Sequence, residues 1–455
     1  MQTKIVCTIG PASKSKTKLK KIIEAGMTVA RVNFSHGSQK SNGKLIDNIR
    51  LAVSANKKNV GIMADLQGPR IRILNVKQSV SIKEGGIIFL REGYAGEPEK
   101  KNKLNIGIDK TGLLKYLKKK DSIYIDNGMM ELLVISRGKG WAKCKVLVGG
   151  EIKSRKGVNI PRISSKLGAL TVNDKKNLKF ALGKNVDFIA MSFVKTSRDI
   201  IRLAKIIKKM LPGIDSRRFP MIIAKIETQA AIANFDSILK VVDGVMIARG
   251  DLAIELPLEQ IPVLQKEMIG KCLHNAKPVI VATQMLESMM ENPRPTRAEI
   301  TDVANAVIDH TDALMLSGET AMGKYPVKTV RIMSKIIRYT EAGPYDDMDY
   351  NKIFIRELIP MAFIAQTAVA LAGQTNMNNI IVRNAPLAVV YKVSRFRPEI
   401  NIWYLTKSKY IARKVSLVWG VQAISSLKNI KGGYILINGV PAENGKIEYN
   451  IEEGK

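Results

Sequence analysis

The segment MIIAKIETQAA (residues 221–231) carries two charged residues at the end of an apolar run. Its first four residues are typical of a strand that is buried on both faces. Lys225 and Glu227 stand two residues apart, so on an extended chain both side chains point to one face, about 7 Å apart. An ion pair between them would explain a single strand of this kind, whereas the same pattern on many strands would indicate a shared site.

The overall composition is typical of a soluble, cytoplasmic globular protein with two or three domains. The sequence has 455 residues, 45% of them apolar, and contains no run of 18 or more apolar residues that could span a membrane. Its first residues do not follow the pattern of a secretory leader. Cys7, Cys144 and Cys272 lie far apart and form no CxxC pair, so we expect them to be small core residues.

The net charge of +33 at pH 7 is the unusual bulk property. Such an excess of positive charge can reflect binding to nucleic acid, to an anionic membrane surface or to phosphorylated substrates. The basic residues are spread along the whole chain, and aromatic residues make up only 5%, without the interleaving that base stacking requires. We therefore expect no dedicated nucleic-acid partner and no membrane partner.

Short apolar runs alternate with longer amphipathic segments, as strands alternate with helices in a parallel α/β sheet. The helix-like segments include SRDIIRLAKIIKKML and RAEITDVANAVIDH. Eight strand–helix units predict a closed (β/α)8 barrel, or TIM barrel. The eight runs are KIVCTIG, VARVNF, GIMADL, VDFIAMSF, MIIAKIE, GVMIAR, PVIVAT and ALMLSG.

Every predicted barrel strand carries polar residues at its carboxyl end. In barrel enzymes this rim holds the substrate and the catalytic groups. The repetition over all the strands favours a shared active site over separate ion pairs. In chain order the residues are Thr8, Arg31, Asn33, Ser35, Asp65, Ser192, Lys225, Glu227, Arg249, Asp251, Thr283, Ser317 and Glu319.

Two further domains interrupt and follow the barrel, which would comprise residues 1–69 and 156–340. Residues 70–155 are rich in Gly and Lys and alternate with period two, as in DSIYIDNGMMELLVIS, which predicts a small β-barrel inserted as a lid. Residues 341–455 begin with the polar segment EAGPYDDMDYN. A helix candidate and strands such as NIIVR and GYILIN follow it, which predicts an open α/β domain.

The rim residues suit phosphate chemistry assisted by a metal ion. Glu227 and Asp251 offer hard oxygen ligands with no His or Cys cluster nearby, so Mg²⁺ or Mn²⁺ fits better than zinc. Lys225 and Arg31 could hold phosphoryl oxygens, and the turn at Gly250 could present backbone N–H groups to an anion. Neither GxxxxGK[ST] nor GxGxxG occurs, so a nucleotide would bind in another way.

Several motifs together resemble the pyruvate kinase family. They are TIGPAS, RVNFSHG, KGVNIP, AKIET, MIARGDLAIEL and VATQMLESMMENPRPTRAEITDVANAVIDHTDALMLSGETAMGKYP. The resemblance runs from Lys4 to about Tyr339 and is weaker beyond. It implies a barrel with an inserted lid and a C-terminal domain, and it implies a homotetramer. The implied reaction is phosphoryl transfer from phosphoenolpyruvate to ADP, which gives pyruvate and ATP in the last step of glycolysis.

The resemblance also implies roles for the charged rim residues. Lys225 would contact the transferring phosphoryl group and offset its charge, and Arg31 would hold the same group from the side. Glu227 and Asp251 would be the protein ligands of Mg²⁺.

The same resemblance implies how the rest of the substrate is held. The amides of Gly250 and Asp251, with the Thr283 hydroxyl, would bind the substrate carboxylate. After transfer, the enolate would be protonated by a relay through water near Thr283, Ser317 and Glu319. For ADP, the family pattern points to the residues Asn33, His36, Arg72 and Lys156.

The segment ADLQGPRIR departs from the family's potassium-dependent members. The family positions for K⁺ correspond to Asn33, Ser35 and Asp65. Leu66 and Gln67 replace the Thr-Lys pair of the potassium-dependent members, and Arg70 stands where they carry Glu. Because a side-chain cation can supply the charge that K⁺ otherwise supplies, we expect that K⁺ is not required.

The segment NAPLAVVYKVSRFRP departs from members that fructose 1,6-bisphosphate activates, since these carry a Ser/Thr- and Gly-rich phosphate loop there. Pro386, Leu387 and Ala388 cannot donate side-chain hydrogen bonds to a phosphate. Arg395 and Arg397 could belong to another effector's site or to a solvated basic face.

Two other functions are compatible with parts of the sequence. A metal-dependent barrel lyase or mutase could bind an enolate without passing phosphate to ADP, but it would leave the lid and Lys156 unexplained. A basic nucleic-acid-binding protein without activity is disfavoured because Lys225, Glu227, Asp251 and Thr283 are all present.

Overall fold

The structure is a computed structural model that describes residues 1–56, 58–74, 76, 78–95, 99–100, 103–164, 167–348, 360–441 and 447–454. Its strands are β1 (Lys4–Thr8), β2 (Val29–Asn33), β3 (Gly61–Leu66), β4 (Ile71–Arg72), β5 (Val80–Ile82), β6 (Ile87–Glu92), β7 (Glu99–Lys100), β8 (Lys103–Ile108), β9 (Ser122–Ile125), β10 (Met130–Gly138), β11 (Trp141–Val148), β12 (Gly150–Ile152), β13 (Gly157–Asn159), β14 (Phe188–Met191), β15 (Met221–Ile226), β16 (Gly244–Ala248), β17 (Val279–Ala282), β18 (Ala313–Leu316), β19 (Asn379–Arg383), β20 (Asn401–Leu405), β21 (Val421–Ile424), β22 (Tyr434–Pro441) and β23 (Ile447–Gly454). Its α-helices are α1 (Lys16–Ala25), α2 (Gln39–Asn56), α3 (Pro161–Ser164), α4 (Val172–Gly183), α5 (Ser197–Met210), α6 (Gln229–Ala233), α7 (Phe235–Leu239), α8 (Arg249–Glu255), α9 (Ile261–His274), α10 (Arg297–Ile308), α11 (Gly318–Ala321), α12 (Pro326–Thr340), α13 (Pro360–Gln374), α14 (Leu387–Ser394) and α15 (Lys409–Lys414).

Eight parallel strands close into a barrel in the order β1, β2, β3, β14, β15, β16, β17 and β18. These strands coincide with the eight apolar runs, so the barrel prediction is confirmed. Every residue of β15 is buried, including Lys225. Because helices cover the outside and side chains such as Phe188 and Met246 fill the inside, each strand is apolar on both faces.

Several helices of the barrel begin at polar residues that cap them. At α10, the Thr296 hydroxyl accepts a hydrogen bond from the backbone N–H of Glu299, whose carboxylate accepts one from the Thr296 N–H in return. This reciprocal capping fixes the start of the helix after the loop that leaves β17. Within the described parts of the chain, no helix combines the length and apolar character needed to cross a membrane.

The segment between β3 and β14 forms an eight-stranded sheet in the order β4, β13, β9, β10, β11, β6, β8 and β7, with β5 and β12 as a separate pair. The sheet curls until Ile73, just after β4, forms an isolated antiparallel bridge with Ile108 at the end of β8. Its own apolar core includes Leu90, Leu132 and Cys144. The last strand, β13, lies beyond the predicted limit at residue 155 and pairs with β4. The segment that leaves the barrel and the segment that returns to it are therefore hydrogen-bonded to each other.

The C-terminal part forms an open five-stranded sheet in the order β21, β20, β19, β22 and β23. The first four strands are parallel and β23 is antiparallel to β22. The α/β prediction for this part is confirmed. The predicted polar connection at 341–351 lies outside the described residues from position 349 to its end.

Buried ion pairs join the barrel floor, which is the end opposite the rim, to the C-terminal part. Asp187, just before β14, pairs with Arg413 of α15 at 2.6 Å and with Arg50 at 2.8 Å. Asp312, just before β18, pairs with Arg397 at 3.1 Å and accepts a hydrogen bond from the Trp419 N–H.

Arg395 and Arg397 do not form a solvated basic face, and that interpretation was wrong. Each is only 2% exposed. Arg397 lies over the Trp419 ring and donates to the His310 carbonyl, while Arg395 donates to the His274 carbonyl. Both arginines therefore join the two parts of the protein, because their hydrogen-bond acceptors lie on the barrel floor.

Candidate active site

Asp65, at the end of β3, binds both of the predicted phosphate-binding cations. Its Oδ2 accepts from Arg31 Nε at 2.7 Å and lies 2.7 Å from Arg31 Nη2, while its Oδ1 lies 3.4 Å from Lys225 Nζ. Arg31 Nη1 also donates to the Thr8 hydroxyl on β1. Burial by itself would raise the pKa of Asp65, but Lys225 and Arg31 together lower it. The carboxylate therefore stays ionised and fixes both cations at the rim.

Lys225 lies in the middle of this rim and is only 8% exposed. Its ammonium is 2.7 Å from Glu227 Oε1 and donates to the Ser192 hydroxyl at 2.7 Å. Burial opposes its charge, yet the carboxylates of Asp65 and Glu227 raise its pKa above the ordinary value. The ion pair between Lys225 and Glu227 is therefore present, but it is one contact in a network whose residues lie in or just after five neighbouring strands.

Glu227 presents a buried carboxylate with one oxygen that is poorly satisfied. Its Oε2 accepts from the Phe193 N–H at 2.7 Å, whereas Oε1 accepts no hydrogen bond from a described residue and has only the Lys225 ammonium beside it. Burial raises the pKa of Glu227, and the nearby Asp251 carboxylate raises it further. Two carboxylates that repel each other in this way fit a divalent cation.

The available protein ligands also suit a cation that takes some of its ligands from a substrate. Among the described residues, no group of three or more His, Cys, Asp or Glu side chains is placed so that it could hold a metal ion. Glu227 and Asp251 would supply two oxygen ligands, and Mg²⁺ commonly takes its remaining ligands from water and substrate phosphate. Arg70 Nη2 lies 3.8 Å from Asp251 Oδ1, so a side-chain cation already lies beside this position.

The turn after β17 is strained at Thr283, which has φ +74° although threonine is β-branched. Its hydroxyl accepts from the Gly250 N–H at 2.7 Å, at the first turn of α8. Arg249 holds the strained residue, since its Nη2 donates to the Thr283 carbonyl at 2.7 Å and pairs with Asp302. Strain that neighbouring groups fix in this way is typical of a functional position.

Glu319 follows β18 and is buried beside the turn that contains Ser317. It accepts hydrogen bonds from the backbone N–H groups of Ser317 at 2.7 Å and Leu286 at 3.2 Å. Burial raises the pKa of Glu319 above its ordinary value. The group can therefore hold a proton at a higher pH than an exposed glutamate.

A cleft of about 1540 Å³ lies between this part of the rim and the inserted sheet. Asp251, Thr283, Ser317 and Glu319 line it from the barrel side. Tyr124 and other residues of the insert line the opposite side. A cleft of this size is large enough for two small phosphorylated substrates.

The residues predicted for ADP lie at the junction between the rim and the insert. Arg72 is on β4, and the neighbouring Ile73 N–H donates to the Lys156 carbonyl, which places Lys156 close by. Burial lowers the pKa of His36, and the charges of Arg72, Arg31 and Arg70 lower it further. The structure therefore brings His36 and Arg72 into one positively charged region.

Two of the predicted nucleotide or potassium residues have local partners. The Asn33 side chain accepts from the Ser35 N–H at 3.0 Å and so closes the turn after β2. The Lys156 ammonium pairs with Asp126 at 2.6 Å. Neither side chain reaches the Lys225 network through a contact between described residues.

Some contacts of the site could not be read from the sequence. Asn127, from the DNG turn of the insert, accepts from Arg70 at 2.7 Å; the turn was recognisable, but its partner was not. The pairing of Arg249 with Asp302 joins residues that are 53 positions apart and has no local signal.

Comparisons with known proteins agree with this geometry. A family model described as pyruvate kinase, barrel domain, matches residues 1–330, and one described as pyruvate kinase, alpha/beta domain, matches residues 362–438. The chain is 34% identical to the pyruvate kinase from Cryptosporidium parvum in a crystal structure, with a TM-score of 0.88 over 99% of this chain and 96% of that one.

Curated relatives share this similarity along nearly the whole chain. The pyruvate kinase of Staphylococcus epidermidis (strain ATCC 12228) is 40% identical over 93% of this chain and 71% of the relative. That of Staphylococcus aureus (strain MRSA252) is 39% identical over 98% of this chain and 76% of the relative. Since the family matches cover both the barrel and the C-terminal sheet, this chain belongs to the pyruvate kinase family.

Proposed function

We propose that this chain transfers the phosphoryl group of phosphoenolpyruvate to ADP at the rim around Lys225. The observation that carries the proposal is a buried, charged lysine beside two carboxylates that suit a divalent cation, next to a large cleft. A coupled assay that detects ATP tests it, because a lyase or mutase on the same barrel would produce no ATP.

Lys225 and Arg31 would stabilise the phosphoryl group while it is in transfer. In phosphoryl transfer the charge lies mainly on the three equatorial oxygens, so fixed cations lower the barrier without covalent chemistry. Asp65 and Thr8 hold the Arg31 fork, and Asp65 and Ser192 hold the Lys225 ammonium. Neither cation would need to reorganise during the reaction.

Glu227 and Asp251 would hold the metal ion that the family requires, which we propose to be Mg²⁺ or Mn²⁺. When bound, such an ion acts as a Lewis acid toward substrate oxygens. The Phe193 N–H holds Glu227 Oε2 and leaves Oε1 directed toward the charged network. Arg70 would limit the net negative charge at Asp251.

The turns around Gly250, Thr283 and Ser317 would orient the rest of the substrate. The amides of Gly250 and Asp251, at the start of α8, with the Thr283 hydroxyl, would bind its carboxylate. The carboxylate would replace the hydrogen bond that the Gly250 N–H donates to the Thr283 hydroxyl. Glu319 could then supply a proton through Ser317 and water, since burial raises its pKa.

His36, Arg72 and Lys156, with Asn33, would bind the phosphates of ADP. The positive region around His36 and Arg72 supports this assignment. We further propose that the protein acts as a homotetramer in the cytoplasm, as the family resemblance implies.

We expect the enzyme to be fully active in sodium- and potassium-free buffer that contains Mg²⁺. The Arg70 guanidinium lies between Asn127 and Asp251, so its charge is directed to the rim, where it can replace that of K⁺. Arg70→Glu should create a K⁺ requirement, and the control Arg331→Glu, an exposed position on α12, should not. The test compares the rate in K⁺ with the rate in a tetraalkylammonium salt of equal ionic strength. Strong K⁺ stimulation of the unmodified enzyme would refute the prediction.

Fructose 1,6-bisphosphate is not expected to activate this enzyme. Pro386 precedes α14, and the start of that helix has no side-chain cap. Leu387 and Ala388 follow and offer no hydroxyl group to a phosphate. Titration of the sugar bisphosphate at sub-saturating phosphoenolpyruvate should leave KM unchanged, whereas a several-fold fall in KM would contradict the prediction.

A further inference from the structure

The outer face of the inserted sheet carries aromatic and basic side chains that the proposed phosphoryl transfer does not use. Ile88 and Leu90 of β6 and Cys144 of β11 are buried in the core of the insert. Because successive side chains of a strand point to opposite faces, their neighbours point outward. The outward residues are Ile87, Phe89 and Arg91 on β6 and Trp141, Lys143 and Lys145 on β11. These six residues, here called the outer platform, do not line the active-site cleft.

Strand pairing places one cation beside one apolar or aromatic residue in each row of the outer platform. The pairs are Arg91 with Trp141, Phe89 with Lys143 and Ile87 with Lys145. Directly opposite residues of an antiparallel pair have Cβ atoms about 4.5–5.5 Å apart. Aromatic and basic residues do not interleave along the chain, which is why the sequence predicts no dedicated nucleic-acid partner. Pairing between the strands brings them together and removes that objection.

The two aromatic rings form a partly exposed apolar surface on the outer platform. The ring centroids of Phe89 and Trp141 are 6.1 Å apart, and the Arg91 guanidinium lies 5.9 Å from the Phe89 centroid. The indole lies over Gly138 of β10, because a Cβ added there would come within 2.5 Å of its Nε1 and 2.6 Å of its Cε2. A ring that lies against the sheet presents its opposite face, rather than a protruding edge, to a ligand.

The outer platform contains three cations and no carboxylate. Arg91 Nε donates to the side-chain oxygen of Asn105 at 2.6 Å, and this neutral acceptor does not compensate the guanidinium charge. The acidic Glu131 of β10 lies opposite Val148, beyond the platform, and accepts a hydrogen bond from the Ser122 hydroxyl. The platform is therefore positively charged, and its charge is complementary to that of a polyanion.

We propose that the outer platform binds single-stranded nucleic acid without sequence preference, as a second function beside phosphoryl transfer. Bases would stack on Trp141 and Phe89, while Arg91, Lys143 and Lys145 would contact the backbone phosphates. Proteins that bind single strands combine such aromatic surfaces with basic residues, often on small β-barrels. The three rows span about 14 Å along the strands, which is room for about two or three stacked bases. Because the indole presents its face, the platform suits stacking better than insertion into a lipid surface.

Fluorescence anisotropy with a labelled oligouridylate of about twelve nucleotides tests the proposal. Trp141→Ala should weaken binding by about tenfold, because one stacking surface is lost. Lys143→Glu should weaken it at least as much, because a phosphate contact becomes repulsive. The controls Tyr339→Ala, at a tyrosine of α12 that is 87% exposed, and Lys205→Glu, at an exposed lysine of α5, should bind like the unmodified protein. ATP formation should be unchanged in all four variants, so this test does not depend on the proposed function.

A conservative variant guards against a folding defect in Trp141→Ala. Trp141→Phe keeps a ring over Gly138 and should restore most of the affinity. Absence of oligonucleotide binding by the unmodified protein would overturn the proposal, as would unchanged binding by folded Trp141→Ala and Lys143→Glu variants. Equal weakening by Lys205→Glu would also overturn it, because the binding would then follow the net charge. Binding to vesicles of anionic lipid without binding to the oligonucleotide would overturn it in favour of a membrane surface.

Discussion

Lys225→Ala should lower kcat by at least about 10²–10³-fold, because a fixed charge that acts mainly in the transition state is removed. Phosphoenolpyruvate binding should survive, since Arg31 keeps its contacts with Asp65 and Thr8. The rate of ATP formation and the equilibrium binding of phosphoenolpyruvate give the two readouts. A variant that retains more than a tenth of the original kcat would show that Lys225 does not have this role.

The substitution also leaves two buried carboxylates, Asp65 and Glu227, without one of their cations. A loss of stability is therefore expected beside the loss of rate, and thermal melting must show that the variant is folded at the assay temperature. Lys324→Ala is the matched control. That lysine pairs with Glu291 on the surface, so the variant should keep both its rate and its melting temperature.

Glu227→Gln should weaken binding of the divalent cation by at least the ~10–100-fold that is typical when even an outer-shell partner is lost. Glutamine keeps the size of the side chain and can still accept from the Phe193 N–H, so the change removes charge rather than packing. Mn²⁺ titration followed by electron paramagnetic resonance gives the affinity. The activity should fall in parallel and recover partly at high metal concentration.

Glu291→Gln is the control for this experiment, since its carboxylate is exposed and pairs with Lys324 on the surface. Unchanged Mn²⁺ affinity in Glu227→Gln would exclude Glu227 as a ligand. Removal of the metal with a chelator should abolish activity in the unmodified enzyme, and added Mg²⁺ should restore it.

The barrel could be predicted from the sequence because its strands are buried on both faces. Every residue of β3, β15 and β16 is buried, so each appears as a short apolar run with polar residues at its end. The convergence at Lys225 could be inferred for the same reason, since parallel strands bring their carboxyl ends to one rim.

Contacts between distant segments could not be predicted in this way. Arg397 resembles a surface residue in the sequence, yet it is buried because Asp312 meets it across the domain junction and the Trp419 ring of its own domain packs against it. The bridge between Ile73 and Ile108 likewise depends on how far the inserted sheet curls. Such pairings are set by tertiary packing, and neither residue of a pair has a neighbour in sequence that indicates the other.

The ion pairs at the barrel floor limit how the protein can be divided. Asp187 and Asp312 are buried in the barrel, and each pairs with an arginine of the C-terminal part, Arg413 on α15 and Arg397 after α14. Removing one partner of a buried pair typically costs about 3–5 kcal/mol, which is a large part of the total stability of a typical domain. The barrel and the C-terminal sheet should therefore fold and unfold as one cooperative unit, whereas the insert, with its own core, has the means to open separately. We therefore expect that a gene fragment ending near residue 340 would encode the whole rim of the barrel but would not fold autonomously.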